Sequence, residues 1–169
     1  REKIHVKASS ITLVNSLETL PTGGVSTITL WHVLEHVHRL NETLKTFNRL
    51  LNHQGTLIIA VPNYRSFDAQ FYNEEWAAYD VPRHLYHFDF DSMKTLVENQ
   101  GFTLKQTKAM WFDSTYVSLL SEKNRNKHGI LISLISWGRA TIIGGLSNIL
   151  ALNNPKRCSS ITYIFEKAI

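Results

Sequence analysis

Eight histidines are spread through the 169-residue chain, and four stand in patterns that can do chemistry. His32-Val33-Leu34-Glu35-His36 spells H-x-x-E-H, the order of an inverted zinc-hydrolase signature. On a helix, His32 and His36 would share a face and hold Zn²⁺, with Glu35 as base and Glu98 as a distant third ligand. Further on, Arg83-His84-Leu85-Tyr86-His87 places two imidazoles among aromatic side chains. A histidine with a pKa near 6.5 can take the proton of a hydroxyl at neutral pH, so His84 and His36 are the candidate catalytic bases. For any single histidine, a packing or hydrogen-bonding role is the ordinary alternative.

The elements that must position these residues run from Thr27 to Asn63. The apolar runs Thr27-Ile28-Thr29-Leu30 and Thr56-Leu57-Ile58-Ile59-Ala60-Val61 read as strands. Between them Leu40, Leu44, Phe47 and Leu51 recur at helical spacing, with Glu42, Lys45 and Arg49 turned outward. Asn41 is expected to cap this helix and Gly55 to supply the turn into the second strand. Strand, helix, strand at this length predicts a right-handed βαβ unit with parallel strands. Ligands of such sheets sit beyond the carboxyl ends of the strands, which points to Trp31–Val37 and Pro62–Phe67. The H-x-x-E-H run then follows a buried strand with no helix-start signal before it, which argues against a zinc helix.

After Asn63 an aromatic-rich insertion, residues 64–90, holds Phe67, Phe71, Tyr72, Trp76, Tyr79, Tyr86 and Phe88. Two readings stand side by side: a cover over a bound substrate, or a small satellite core under a long loop. The substrate-lining candidates are Tyr64, Tyr79, Tyr86, His87 and Trp111. Asp91 is expected to cap a helix with Met93, Leu96 and Val97 inward, ended by Gly101. Phe102–Met110 and Ile161–Lys167 read as strands, the latter with Ile161, Tyr163 and Phe165 on one face. Ile130–Leu152 is long enough to span a bilayer, but Arg139 near its middle and Gly144-Gly145 argue against it. Two amphipathic helices, packed on the sheet or on a partner, are expected there.

LWHVLEHV, a helix ending in Leu50-Leu51, and then GTLIIAVPN resemble the second half of a class I S-adenosylmethionine-dependent methyltransferase, in the group of quinone-pathway O-methyltransferases. Asp80–Phe102, DVPRHLYHFDFDSMKTLVENQGF, extends the resemblance, which covers Val14 to about Met110. It implies an α/β fold with a Rossmann-like sheet, closed by an antiparallel pair and carrying a helical insert at residues 113–152. It implies S-adenosylmethionine as cofactor and a small-molecule acceptor, methylated on a hydroxyl oxygen. Ile11–Val14 would be the family's third strand, followed by Asn15, Ser16 and Leu17 at the adenine edge, with Trp31 and His32 as further cofactor contacts. The family's first two strands are then expected to be absent, so that the chain is a truncated domain. None of the eight glycines forms a G-x-G turn. Val25-Ser26-Thr27 stands where Phe-Asp-Val is common, and Asn52-His53-Gln54-Gly55 where Lys-Pro-Gly-Gly is common. Some quinone-type relatives hold a divalent ion near this turn, and Glu35 and His36 match in part. Trp31 and His32 stand where an acidic ligand is found, so no metal is assigned. A binding or assembly module that kept the fold is the alternative function.

Composition bounds the rest. One domain is expected from the length. The formal charge is +4, and the basic residues do not cluster outside Lys123–His128, so no nucleic-acid partner is expected. The single Cys158 fits a reducing, cytoplasmic setting. No signal peptide is visible at Arg1, where the chain starts without methionine. Self-association is expected through an exposed sheet edge or the helices at 130–152.

Overall fold

The computed structural model describes residues 13–125 and 130–168, with side chains of the second stretch from 134 onward. β1 (Val25–Trp31) and β2 (Leu51–Pro62) are parallel neighbours, joined by α1 (Leu40–Leu50). The helix forms where the apolar stripe predicts it and buries Leu40, Leu44, Phe47 and Leu50 against the sheet. Its start differs from expectation. Arg39 occupies the N-cap position without a capping side-chain bond, and Asn41 instead accepts from Gln100 at 3.3 Å. Gly55 does not end the helix either, because β2 already begins at Leu51. The register steps from Val25 opposite Leu51 to Thr27 opposite Thr56, so a bulge forms over residues 52–55. Gln54 sits at φ +61°, and a side chain on Gly55 would press against Leu51 at 2.9 Å.

Beyond β2 come α2 (Phe67–Tyr72), α3 (Phe90–Glu98), β3 (Phe102–Ala109), α4 (Trp111–Arg125), α5 (Ile130–Asn153) and β4 (Ser160–Lys167). The sheet order is β1-β2-β4-β3, with β4 antiparallel to both neighbours. Leu57, Ile59, Val61, Ile161, Tyr163 and Phe165 alternate into one core with α1 and α3. Asp89, not Asp91, caps α3: its carboxylate accepts from Ser92 N–H while Ser92 Oγ accepts from Asp89 N–H, a capping box. Gly101, at φ +81°, carries the chain from α3 into β3.

The expected third strand is not seen in its described part, since Leu13 and Val14 lie in no strand; Ile11, Thr12 and the helix expected over Arg1–Ile11 fall outside the described residues. Among the described residues β1 is therefore an edge strand.

The aromatic insertion resolves toward a satellite core. Tyr72, Trp76, Ala69 and Ala78 pack with Val117 of α4 and Ile143 of α5. Asp68 lies fully buried beneath them and accepts from Trp76 Nε1 (2.8 Å), Ser147 Oγ (2.8 Å) and Ser159 Oγ (2.5 Å). Such a carboxylate is tolerated because its lone pairs are met by donors.

One continuous α5 replaces the two helices expected over 130–152. Gly144 does not break it; it lets α4 come close. A Cβ there would stand 2.7 Å from Thr115 Cα and 2.9 Å from Ser114 O. Arg139 reaches across to buried Glu122 with two 2.6 Å bonds. No helix among the described residues is long and apolar enough to cross a membrane.

The close crossing sets a test. Alanine at position 144 gains about 1 kcal/mol of helix propensity but pushes on backbone, where overpacking costs roughly 1–3 kcal/mol. Gly144→Ala should lower the denaturation midpoint; an unchanged or raised midpoint would show that α4 and α5 are farther apart.

Candidate active site

The parallel strands end where chemistry is expected. After Trp31 the backbone turns sharply: His32 takes φ +51°, an unusual value for a side-chain-bearing residue, and its N–H donates to Ala60 O at 3.0 Å. A short 3-10 turn, Leu34–His36, follows, which buries Leu34 completely and leaves Glu35 only 1 % exposed. Since the segment is not an α-helix, His32 and His36 do not share a helical face, and the zinc-hydrolase geometry does not form.

His32 instead bridges two carboxylates. Its Nε2 lies 2.9 Å from Asp113 Oδ2 and its Nδ1 lies 3.3 Å from Glu35 Oε1. Asp113 stands in the first turn of α4, where a negative charge is favoured by the helix dipole. The hydrogen bond to Asp113, then that to Glu35, raises the His32 pKa to about 9 against the opposing effect of burial. Burial pushes the Asp113 carboxyl up, but the bond and charge of His32 together with the contribution of Ser160 outweigh it and hold the group below the usual range. At neutral pH His32 is therefore an imidazolium, a holder of charge and not a base.

The third contribution comes from the loop after Trp76. Leu85 N–H donates to Glu35 O at 2.9 Å, which draws the loop onto the turn. His84 Nδ1 sits 2.8 Å from Ala78 O, and His36 Nδ1 sits 3.0 Å from Arg83 O. A carbonyl only accepts, so each Nδ1 carries the hydrogen, and in each neutral ring Nε2 is left with the lone pair. The two rings meet edge to face with centroids 4.7 Å apart. His84 Nε2 is 3.9 Å from Glu35 Oε1, while Glu35 Oε2 has no hydrogen-bond partner. Ligand atoms from Glu35, His36 and His84 all lie within 4.8 Å of one another, a set that could hold a metal ion.

A cavity of about 230 Å³ opens beside this group. His32, His84 and Asp113 supply its polar wall; Tyr116, Val117 and Leu120 of α4 supply an apolar one. A larger cleft of about 720 Å³ adjoins it, lined by Trp76, Tyr79, Arg83 and Lys123 among others.

The structure gathers some of the expected residues and not others. His36 and His84 come together, and Trp31, about half exposed, stands at the end of β1 beside His32. Tyr79 lines the larger cleft, packed at 5.1 Å from both Trp76 and His87, and His87 Nε2 bonds Tyr79 O. Tyr64 bonds Asp89, Tyr86 bonds His38 O in a separate groove, and Trp111 O accepts from Asn148; none of the three lines the cavity. Asn15, Ser16 and Leu17 lie at the far end of the sheet, where Arg49 donates to Leu17 O at 3.1 Å and Ser16 caps a 3-10 turn. They are not brought to Trp31 and His32 because the described chain before β1 folds against the end of α1. The residue that sequence reasoning missed is Asp113; its only signal was an acid in the first turn of a helix.

A parallel βαβ unit closed by an antiparallel pair, with polar groups gathered past its parallel strand ends, is the architecture of the α/β methyltransferases. Residues 5–107 match the family described as "Methyltransferase domain", and the chain belongs to that family. No curated protein matches. Among solved structures, the chain is similar to a SAM-dependent methyltransferase from Archaeoglobus fulgidus (19% identity, TM-score 0.50, 89% of this chain and 63% of that one). It is also similar to Haemonchus contortus phosphoethanolamine N-methyltransferase 2 in complex with S-adenosyl-L-methionine (12%, 0.52, 89% and 35%) and to the [4+2]-cyclase SpnF (12%, 0.54, 89% and 52%). At these identities the likeness is one of fold. The chain spans about half to three fifths of the length of the first of the matched structures.

The His32 bridge carries a pH signature. A pKa raised from 6.5 to about 9 contributes stability that is fully present below pH 6.5 and lost as pH rises through about 9. In chelator-treated protein, the stability gap between the native chain and a His32→Gln variant should shrink from pH 6.5 to pH values above 9. A gap that holds constant would show that His32 is not charged in the fold.

Proposed function

We propose that this protein transfers the methyl group of S-adenosylmethionine to a hydroxyl oxygen of a small-molecule acceptor. The observation that carries this is family membership joined to the placement of His84 on the cavity past the ends of β1 and β2. When bound, S-adenosylmethionine supplies an electrophilic methyl on a sulfonium, and transfer is an in-line displacement that needs alignment, dryness and loss of the acceptor proton. The His84 ring, held by Ala78 O, offers Nε2 to take that proton. Tyr116, Val117 and Leu120 give the acceptor side an apolar wall. Trp31 offers an aromatic face for the cofactor at the end of β1. His36 positions His84 through ring contact, and His32 bridges Glu35 and Asp113 and offsets part of their charge without taking a proton itself.

A second reading rests on the unpartnered Glu35 Oε2. Glu35, His36 and His84 would hold a divalent cation, and both histidines donate Nδ1–H to carbonyls, as ligating histidines commonly do. Such an ion would polarise the acceptor oxygen. The two readings separate in an assay of S-adenosylhomocysteine release with a panel of small phenols. If His84 is the base, His84→Ala lowers kcat by about 100- to 10,000-fold, and a chelator has no effect. If an ion is held, the chelator abolishes turnover and His36→Ala costs as much as His84→Ala.

Cofactor affinity tests the whole reading. The 169-residue chain contains no G-x-G turn, whose backbone donors would each be worth about 0.5–1.5 kcal/mol. Calorimetry should therefore find S-adenosylmethionine bound more weakly than micromolar. A micromolar dissociation constant would show that the chain builds its cofactor site in another way, and no binding at millimolar concentration favours the non-catalytic module.

A further inference from the structure

From the outer face of α5 we infer that two copies of this chain pair through that helix, antiparallel about a two-fold axis; the inference is independent of the proposed activity. The buried side of α5, with Ala140, Ile143, Gly144, Ser147 and Ala151, packs on the rest of the fold. Its opposite side is not polar. Ile135, Gly138, Ile142, Gly145, Ile149 and Leu152 follow one another at spacings of three and four, the a/d seam of a coiled coil. The four large members are 60–69 % exposed. The seam carries no charge, because Arg139, the one cation between 134 and 152, is tied to Glu122.

The two glycines of the seam say what covers it. A Cβ at Gly138 or Gly145 would meet nothing within 4 Å, so the single chain has no use for glycine there. Each still weakens the helix relative to alanine. Gly144, one residue away, contrasts with them because α4 requires it. Glycines that cost stability and face outward fit a neighbour that comes close to the helix axis.

A second α5 supplies that neighbour in one sense only. Run antiparallel about an axis between positions 142 and 145, each seam residue faces the one whose number completes 287. Ile142 then lies against the partner's Gly145, Ile149 against the partner's Gly138, and Ile135 against the partner's Leu152. Every isoleucine facing a glycine fills the gap that glycine leaves, and the contact is the same from both sides, as a two-fold interface requires. In a parallel pair glycine would face glycine and leave voids, which are costly. The four large seam residues with flanking Leu134 and Leu146 expose on the order of 700 Å² per chain, so a pair would bury about 1,400 Å², within the range of stable interfaces. A lipid surface fits less well: it gains nothing from glycine, and the seam has no free cation to meet anionic headgroups.

Sedimentation of the chain at tens of micromolar should give twice its 19.4 kDa mass. Gly145→Leu, which is sterically free in one copy and fills the hole meant for the partner's Ile142, should give a monomer with an unchanged or raised Tm. Combining Ile142→Cys with Gly145→Cys should allow oxidation to a covalent dimer, whereas Ile142→Cys alone should not. The inference is overturned if the native chain is monomeric, if Gly145→Leu leaves the dimer intact, or if Ile142→Cys alone cross-links. Co-sedimentation of a monomer with phosphatidylglycerol vesicles would also overturn it and assign the face to lipid.

Discussion

A buried carboxylate at the end of the first strand organises the functional half of this protein. Taking Glu35 out of water costs several kcal/mol unless its charge is met, and His32 meets it at one oxygen while Oε2 has no hydrogen-bond partner. Its backbone carbonyl receives Leu85 N–H, and one side-chain oxygen faces His32. Through His32 the same charge reaches Asp113 on α4. Three segments far apart in sequence are thus fixed around one residue: the turn after β1, the loop at 80–87 and the start of α4. The cavity is what remains between them.

Two further buried acids act in the same way on the outer layer. Asp68 joins α2 to Trp76, to α5 and to the residue before β4, with a donor for each contact. Glu122 and Arg139 join α4 to α5 in a bidentate pair. Breaking one partner of such a contact is costly even where the intact pair adds little net stability. The helical insert is therefore bonded to the sheet at its base and to itself along its length.

The sheet was legible in the sequence because its signals are local. Period-two apolar runs and the stripe of α1 name β1, α1, β2, β3 and β4, and the antiparallel closing pair lies where it was expected. Chain caps were less legible: Asp89 and Asp91 are both plausible caps, and only the reciprocal bond with Ser92 decides between them. The glycine pair at 144–145 misled for a different reason. Glycine reads as a helix breaker when the neighbour that needs its small size is thirty residues away. Part of the candidate site was legible as well, since His36 follows β1 and His84 lies in the aromatic insertion, two segments that the fold brings together. Asp113 was not, because a pairing across 81 residues leaves no periodic trace. Asn15–Leu17 show the converse, a position assigned by resemblance that the local contacts of Arg49 do not support.

The insert between β3 and β4 has a consequence for how the cavity can diversify. β3 and β4 pair directly along their lengths, so the sheet closes without help from the hairpin that connects them. The apolar wall of the cavity, however, belongs to that hairpin. A lineage could exchange the whole hairpin and so reshape what the cavity admits, with strands and turn untouched. Asp113 would travel in the same cassette, so each exchange would also reset the charge state of His32. Cavity shape and the charge state of His32 are in this sense inherited together.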